Sequence, residues 1–387
     1  MRQRDDQRRG TGMQCAEYRV DGGYFGYGAA ARSQVCCLVT RAYASRLLLK
    51  HSEMIMARSL SPQLLQGPSS GAGARRLRAV ALTVGWLALA GCAATASPGD
   101  PPAAEPTGHP LQGVVWDTAA GRAITPAALV GRLGDAGVAV LGEIHDNPVH
   151  HDRQAWLLSA LEPDGVAFEM VPEGSEKGVA VFRAGGAEDG DIGPAIGWDR
   201  LGWPDWKIYR PVFEAVGSAR ITGGGVGLAD LRRAIAEGAA SVEGAGASEA
   251  GLDLALPAAE QAALEAEMVA AHCDMLPASA APGMVEAQRL RDFRFARAAL
   301  RARDGSGEGA RAALITGNGH ARRDRGVPVY LDRLAPGIET VSLGQVEVQP
   351  GLLAASDYAG DAAALPYDYV WFSAGVEDRP DPCAAFR

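Results

Sequence analysis

Residues 137–152 read Gly-Val-Ala-Val-Leu-Gly-Glu-Ile-His-Asp-Asn-Pro-Val-His-His-Asp, and this stretch decides the fold. Its first six residues, 137–142, are apolar or glycine, which is typical of a strand buried on both faces of a parallel sheet. Polar residues follow at once, and the spacing of apolar positions over 149–161 then predicts a helix. A buried strand that runs through a polar turn into a helix is the repeating unit of an α/β fold.

Three further segments repeat the apolar pattern of this strand. They are residues 165–171, 312–317 and 339–344, and a short helix is predicted at 329–334 between the last two. Near-continuous apolar strands that alternate with helices predict a mainly parallel sheet covered by helices. The predicted fold class is therefore α/β.

The region between the strand groups, residues 228–302, is rich in Ala, Glu and Arg. Its apolar spacing predicts helices at 228–239, 256–272 and 283–302. We expect these helices to be an insertion that forms a lid or wall over the sheet, within an α/β domain spanning 111–350. Residues 351–387 are then expected to be a C-terminal extension that packs on this domain.

The composition is that of a folded protein and argues against nucleic acid as a partner. Hydrophobic residues make up 47% of the 387 and charged residues 21%, enough for a sizeable core. The net charge is −9, whereas a nucleic-acid-binding protein requires a basic surface. Residues 1–91 carry 13 Lys and Arg against 5 Asp and Glu, a net charge of +8, and the remainder carries −17. This asymmetry predicts a leader that is separate from the working domain.

An export signal is predicted within the leader 1–91. Arg75, Arg76 and Arg78 precede thirteen apolar or small residues, a run too short to cross a bilayer. The run ends in Leu89-Ala-Gly-Cys92, which resembles the lipobox of bacterial lipoproteins. The resemblance implies that Cys92 is acylated and anchors the protein in the cell envelope, at the outer membrane facing the periplasm. A plain signal peptide is the alternative.

The segments on either side of this signal have different characters. Residues 92–110 are rich in Ala, Pro and Gly and are expected to be a flexible tether. Residues 1–55 lack a hydrophobic pattern, and signal peptides begin near the initiator. We therefore expect the natural start to be Met54 or Met56, and an internal signal anchor is the alternative.

Two of the six cysteines fall in the domain that would be exported. Cys273 and Cys383 remain once the leader and Cys92 are set aside. An even pair in an oxidising compartment favours one disulfide, and two buried free thiols are the alternative. The sequence has no Cys-x-x-Cys pair, so a structural zinc ribbon is not indicated.

Ionisable residues follow three of the predicted strands. Glu143 and His145 come directly after the first strand, Glu169 ends the second, and His320 follows the third. In an open α/β sheet, ligands bind beyond the carboxyl ends of the strands. Each residue alone has a structural interpretation, but together we expect them to meet at one rim and to form a functional site.

Two strings that contain these residues, Gly142-Glu-Ile-His145 and Gly317-Asn-Gly-His320, resemble the paired Gly-x-x-His motifs of the Tiki superfamily. Longer strings at 141–147, 150–151, 167–170, 203–206, 284–292 and 317–322 resemble its ChaN branch, over residues 112–350. The resemblance implies an α/β sheet whose polar rim holds haem or a metal, in a lipoprotein associated with haem and iron uptake. It also implies a tyrosine iron ligand and dimers that enclose cofacial haems, so haem and a second copy are expected partners.

The resemblance and the chemistry of haem sites give a set of candidate haem-binding residues. The set is His145 and His320 as ligands, Tyr209 or Tyr330 as the tyrosine ligand, and Arg322 and Arg323 as partners of the propionates. Either tyrosine has an equal interpretation as a core residue, and the arginines could belong to a solvated loop.

The walls of a haem slot have candidates too. Trp198, Trp203 and Trp206 cluster in a Gly-rich stretch that could supply a flat apolar surface, or they pack the rim. Gln288 and Asp292 lie four residues apart on one face of the predicted helix 283–302 and could face the site.

The rival interpretation is a metal-dependent hydrolase. His145, His320 and a carboxylate would bind a divalent metal, and Glu143 or Glu169 would act as general base for a metal-bound water. The Tiki metalloproteases share these motifs, so the motifs alone do not discriminate. A passive envelope scaffold is the third class, and four converging polar side chains argue against it.

Overall fold

The computed structural model describes residues 99–102, 108–186, 191–304, 307, 309–360, 362 and 364–384. The predicted leader, the predicted lipid site Cys92 and much of the predicted tether lie outside the described residues. In the part of the chain that is described, no helix is both long enough and apolar enough to span a membrane.

The described strands form a single eight-stranded sheet. They are β1 Val115–Asp117, β2 Arg122–Ile124, β3 Val138–Glu143, β4 Gly165–Pro172, β5 Arg220–Gly225, β6 Ala312–Gly317, β7 Thr340–Glu347 and β8 Tyr369–Ser373. The order across the sheet is β2-β1-β8-β7-β3-β6-β4-β5. All pairs from β8 to β5 are parallel, and only the pairs that involve β1 are antiparallel. The predicted α/β class with a mainly parallel sheet is confirmed.

Helices cover both faces of the sheet. They are α1 Pro126–Gly134, α2 Pro148–Leu161, α3 Glu176–Ala184, α4 Ile192–Ile196, α5 Trp206–Glu214, α6 Leu228–Glu237, α7 Ala239–Glu243, α8 Ala258–Ala271, α9 Ala281–Asp304, α10 Asn318–Ala321 and α11 Val327–Leu334. Because successive strand residues point to opposite faces, Leu141 of β3 packs with α2 and α5, and Val140 packs with α9 and α11. The sheet therefore separates two hydrophobic cores.

Local sequence explains where α2 begins. The Asn147 side chain accepts a hydrogen bond from Val149 N at 3.0 Å, and Pro148 occupies the first turn, where its missing N–H costs nothing. The cap starts the helix four residues after β3 ends, so its first turn lies against the end of that strand. His150 and His151, in this turn, are fully buried.

The helical region 228–302, which was predicted to form a lid or a wall over the sheet, forms a wall. Its longest helix, α9, packs on β4, β5 and β6, and α6 and α8 pack on α9 from outside. Helix α9 buries Phe293 and Phe295 in the core on this face of the sheet. The wall is therefore part of the layer that covers the sheet.

The C-terminal segment enters the sheet, although residues 351–387 were expected only to pack on the domain. Strand β8 lies between β1 and β7, so the sheet continues beyond the predicted boundary at 350. Past β8, Arg379 forms bidentate ion pairs with Asp146 and Glu347. Cys383 forms a disulfide with Cys273, which joins the C-terminal segment to the turn after α8.

Candidate functional site

Three adjacent strands, β3, β6 and β4, end at the same edge of the sheet and carry the predicted site residues. Glu143 of β3 is level with Gly317 of β6, and Gly142 is level with Thr316. The side chain of Glu143 points toward α2 and α5, and that of Glu169 in β4 points toward α9 on the other face. The four predicted residues Glu143, His145, Glu169 and His320 do lie together at this rim, and they approach it from both faces of the sheet.

Glu143 holds His145 from the α2 and α5 side. Its Oε1 accepts hydrogen bonds from His145 Nδ1 at 2.8 Å and from the Tyr209 hydroxyl at 2.6 Å. Burial raises the pKa of this carboxyl, but the charges and hydrogen bonds of His151 and His145 outweigh burial and bring the pKa well below its ordinary value. Glu143 is therefore ionised and completely buried, and it orients the His145 ring so that Nε2 faces away from it.

His151 completes this arrangement as a buried cation. Its Nδ1 lies 3.1 Å from Glu143 Oε2 and 3.2 Å from the Gln154 side-chain oxygen, and its Nε2 donates to the His145 carbonyl at 3.0 Å. Since the neighbours of both ring nitrogens are acceptors, both nitrogens carry protons. Burial lowers the pKa of His151, and the charge of Glu143 more than compensates and raises it. The sequence analysis did not predict this role. The position of His151, in the first helical turn after β3, is the feature that could have indicated it.

Glu169 occupies the α9 side of the rim. Its Oε2 accepts from Thr316 Oγ1 at 2.7 Å and from Gly317 N at 2.8 Å. Its Oε1 lies 3.5 Å from His320 Nε2 and 4.0 Å from His145 Nε2. Burial opposes ionisation, but the charges of the two histidines and these hydrogen bonds lower the pKa of Glu169. This buried carboxylate therefore has two hydrogen-bond donors and two imidazole rings beside it.

His320 is held by a second carboxylate, in the same way as His145. Its Nδ1 donates to Asp292 Oδ1 at 2.6 Å, and the Gln288 amide lies 3.1 Å from the same nitrogen. Burial raises the pKa of Asp292 to about 6, and the charges of Glu169 and Asp292 raise the pKa of His320 against its burial. Gln288 and Asp292, which the sequence placed on one helix face, both reach the site.

The first glycine of each Gly-x-x-His motif lies against a residue of the other motif, where a side chain would not fit. A Cβ on Gly317 would lie 2.9 Å from His145 Nε2, and a Cβ on Gly142 would lie 2.5 Å from the Asn318 side-chain oxygen. Because Gly317 has no side chain, the His145 ring extends over the end of β6 and approaches Glu169 from the opposite face. The motif glycines are therefore required by close packing at the rim.

His145 is the accessible histidine of the site. Its side chain is 36% exposed, compared with 9% for His320. Trp203 stands beside it with the two rings 5.0 Å apart, edge to face. Trp198 and Trp206 do not form a slot with Trp203, because Trp198 is buried in the core and Trp206 packs against it. The expected three-tryptophan slot is thus reduced to Trp203.

Both candidate tyrosine ligands, Tyr209 and Tyr330, are buried. The Tyr209 hydroxyl donates to Glu143 and lies 3.3 Å from His145 Nδ1, and burial together with the charge of Glu143 raises its pKa. Burial raises the pKa of Tyr330 to about 12. Neither phenol is placed to become an exposed phenolate, so Tyr209 belongs to the hydrogen-bond network of the site and Tyr330 to the core.

The two candidate propionate partners are already paired with carboxylates. Arg322 forms a bidentate pair with Asp324. Arg323 donates to the Thr340 carbonyl and pairs with Asp332 and Asp368. Both guanidinium groups are therefore already engaged by carboxylates or backbone in this structure.

The predicted metal set is not supported. Among the described residues, no group of three or more His, Cys, Asp and Glu side chains is arranged to hold a metal ion. Glu143 faces His145, Tyr209 and His151, and so it does not complete a ligand set with His145, His320 and Glu169.

The fold is that of an α/β protein whose sheet presents, at its carboxyl edge, two histidines that are each bound through Nδ1 to a buried carboxylate, which is where ligands bind in open α/β sheets. The sequence profile of the family described as haem-binding uptake, Tiki superfamily, ChaN matches residues 129–331. The chain belongs to this family.

Two solved structures match the chain, and the first of them has a similar fold. A structure described as cofacial haem binding to ChaN of Campylobacter jejuni is 19% identical, with a TM-score of 0.51, and the match covers 68% of this chain and 97% of that one. The type III effector HopBA1 is 12% identical with a TM-score of 0.36, over 64% of this chain and 92% of that one, which is too remote for an argument. No curated protein matches.

Proposed function

We propose that this protein binds haem at the open rim of its sheet and that His145 ligates the iron through Nε2. The observation that carries the proposal is the state of His145, which is half-buried, is the more accessible of the two rim imidazoles and is fixed through Nδ1 by Glu143. A carboxylate that accepts from the second ring nitrogen orients a metal-ligating histidine and increases its basicity. Family membership supports haem as the ligand.

Haem would lie on the rim and not inside a closed pocket. The cavity beside the site, between α8, α9 and α11, measures about 230 Å³, below the roughly 300–1,000 Å³ of typical ligand pockets. A porphyrin at an open rim would pack one face against His145 and Trp203 and leave the other face uncovered. A second haem and a second copy of the chain would cover it, so we propose a haem-dependent homodimer. The ChaN structure with cofacial haems supports this arrangement.

The experiment is a haem titration of the purified protein followed in the Soret region. We expect one haem per chain, a large loss of affinity and a changed spectrum in His145→Ala, and retained ligation in His320→Ala. His109→Ala is the matched control, because it also removes an imidazole, but one that accepts from Leu111 N outside the rim. Absence of stoichiometric uptake would exclude haem binding, and an unchanged spectrum in His145→Ala would exclude His145 as ligand. Sedimentation should show that haem doubles the mass.

We also propose that the protein is anchored to the bacterial envelope by a lipid on Cys92 and takes part in haem and iron uptake. The basic and apolar segments before Leu89-Ala-Gly-Cys92 support the anchor. Cys92→Ser should move the protein from the membrane fraction to the soluble fraction. Unchanged membrane retention of the variant would contradict lipidation at this residue.

A further inference from the structure

A second site lies behind His320, in the helical wall. Helices α8, α9 and α11 enclose the cavity of about 230 Å³, and the loop at 251–257 closes it. Each helix contributes residues of one face, most of them three or four positions apart along the chain and therefore neighbours on the helix surface. These positions are Glu260, Leu264, Glu267 and Met268 of α8, Val285, Gln288, Arg289 and Asp292 of α9, and Val329, Tyr330 and Arg333 of α11.

Arg289 lines this cavity and is bound to the loop that closes it. Its guanidinium donates to the carbonyls of Gly251, Leu252 and Leu254, and it pairs with Glu286 at 2.7 Å. The residue is only 7% exposed, and its Nε is buried without a hydrogen-bond partner of ordinary geometry among the described residues, although the Tyr330 hydroxyl is close enough to influence the pKa of the guanidinium. A buried donor without an acceptor is costly, so this wall of the cavity is suited to a ligand that supplies an oxygen.

Two opposite charges at the cavity lack a counter-charge. Glu260 has neither an ion-pair nor a hydrogen-bond partner in the part of the chain that the structure describes. Arg333 donates to the Ala250 carbonyl and stands over the Tyr330 ring, and no described carboxylate pairs with it. Leu264, Val285 and Val329 supply an apolar surface between them. The cavity therefore offers a cation with a donor, an anion and an apolar wall.

We propose that this cavity binds a zwitterionic α-amino acid with an apolar side chain. Its carboxylate would accept from Arg289 Nε and from Arg333, its ammonium group would face Glu260, and its side chain would pack on Leu264 and Val285. One small molecule would thus supply an acceptor to the buried Arg289 donor and a counter-charge to each of the solvent-accessible side chains of Glu260 and Arg333. The cavity is too small for a porphyrin, so its ligand differs from the haem proposed at the rim, although Gln288 and Asp292 line the cavity and also hold His320.

Calorimetric titration with three matched probes tests the proposal. They are L-leucine, 4-methylpentanoate, which lacks the ammonium group, and 3-methylbutylamine, which lacks the carboxylate. L-Leucine should bind with one site per chain, and each analogue should bind at least about tenfold more weakly, because each loses charge-assisted hydrogen bonds. No heat from L-leucine or L-phenylalanine up to about 10 mM would overturn the proposal.

Two variants locate the binding site. Glu260→Gln should weaken L-leucine by about tenfold, and Glu249→Gln, which removes an exposed carboxylate outside the cavity, should not. Val285→Phe fills the cavity and should abolish binding. Equal affinity in the wild-type protein, Glu260→Gln and Val285→Phe would place any binding elsewhere and would refute the assignment. Asp292 is not a suitable variant, because it also holds His320.

Discussion

Gly317→Ala tests whether His145 ligates haem in the geometry that the rim imposes. Gly317 has φ −63° and ψ 151°, which alanine adopts without strain, so the substitution adds only a methyl group. That methyl carbon would lie 2.9 Å from His145 Nε2 and 3.1 Å from Cε1, where ordinary contacts begin at 3.4 Å. The imidazole must therefore move by about 0.5 Å, and its 2.8 Å hydrogen bond to Glu143 lengthens beyond the usual range.

This displacement should weaken haem binding more than it lowers the stability of the fold. Overpacking of this kind costs about 1–3 kcal/mol, which corresponds to an increase in the Kd for haem of about fivefold to 150-fold. Because a third of the His145 side chain is exposed, the ring can swing outward, and we expect thermal unfolding to change by only a few degrees. Soret titration and thermal unfolding of the same preparation separate the two effects.

Gly319→Ala is the matched control for this prediction. A Cβ on Gly319 meets no atom within 4 Å, and the residue lies two positions away in the same motif. It should bind haem like the wild-type protein. Wild-type affinity and spectrum in Gly317→Ala, or equal losses in both variants, would refute the role assigned to His145 and Gly317.

Three further predictions concern the same site and the wall behind it. Burial opposes the protonation of His145, but the hydrogen bond to Glu143 and the charge of Glu169 raise its pKa to about 9, and iron requires the neutral ring. Haem affinity should therefore rise by about tenfold to 100-fold as the pH increases from 7 to 9, with solvent screening allowed for, and should level off above pH 9. A haem affinity that does not change with pH in Soret titrations would contradict this. Glu169→Gln removes the largest influence that raises the pKa of His320, so an NMR titration of the His320 ring should show a lower pKa, and an unchanged value would contradict the contact. Cys273→Ser opens a link between residues 110 apart and should lower the free energy of unfolding by about 2–4 kcal/mol in denaturant titrations, and unchanged stability would contradict that.

The strands that carry the site were predictable, and those at the periphery were not. Strands β3, β4 and β6 are buried on both faces and read as near-continuous apolar runs, whereas apolar and polar residues are mixed in β7; the bounds of all four fall within a few residues of the predicted ones. Strand β5 reads Arg-Ile-Thr-Gly-Gly-Gly, and three glycines remove the side chains on which a strand prediction depends. Strand β8 has an apolar run of four residues, Tyr369–Phe372, and no α-helix follows it among the described residues, so the pattern did not separate it from an extension.

The convergence of the site was predictable, and its pairing was not. A parallel sheet brings strand ends to one edge, so Glu143, His145, Glu169 and His320 could be expected together. The alternation of side chains along β3 and β4 could also have placed Glu143 and Glu169 on opposite faces. The Tyr209 hydroxyl lies within hydrogen-bond distance of Glu143 although the two residues are 66 positions apart, and no local pattern specifies that contact.

The two Gly-x-x-His motifs are therefore parts of one unit. In each motif the histidine is fixed by a buried carboxylate, which is Glu143 for His145 and Asp292 for His320. The two carboxylates lie on opposite faces of the sheet. A side chain at the end of β6, at position 317, would therefore keep the two imidazoles apart. Gly317 removes this barrier, and both Nε2 atoms then lie within 4.0 Å of one Glu169 oxygen. It follows that one motif without the other, or either motif with a larger residue in place of glycine, cannot form the same rim.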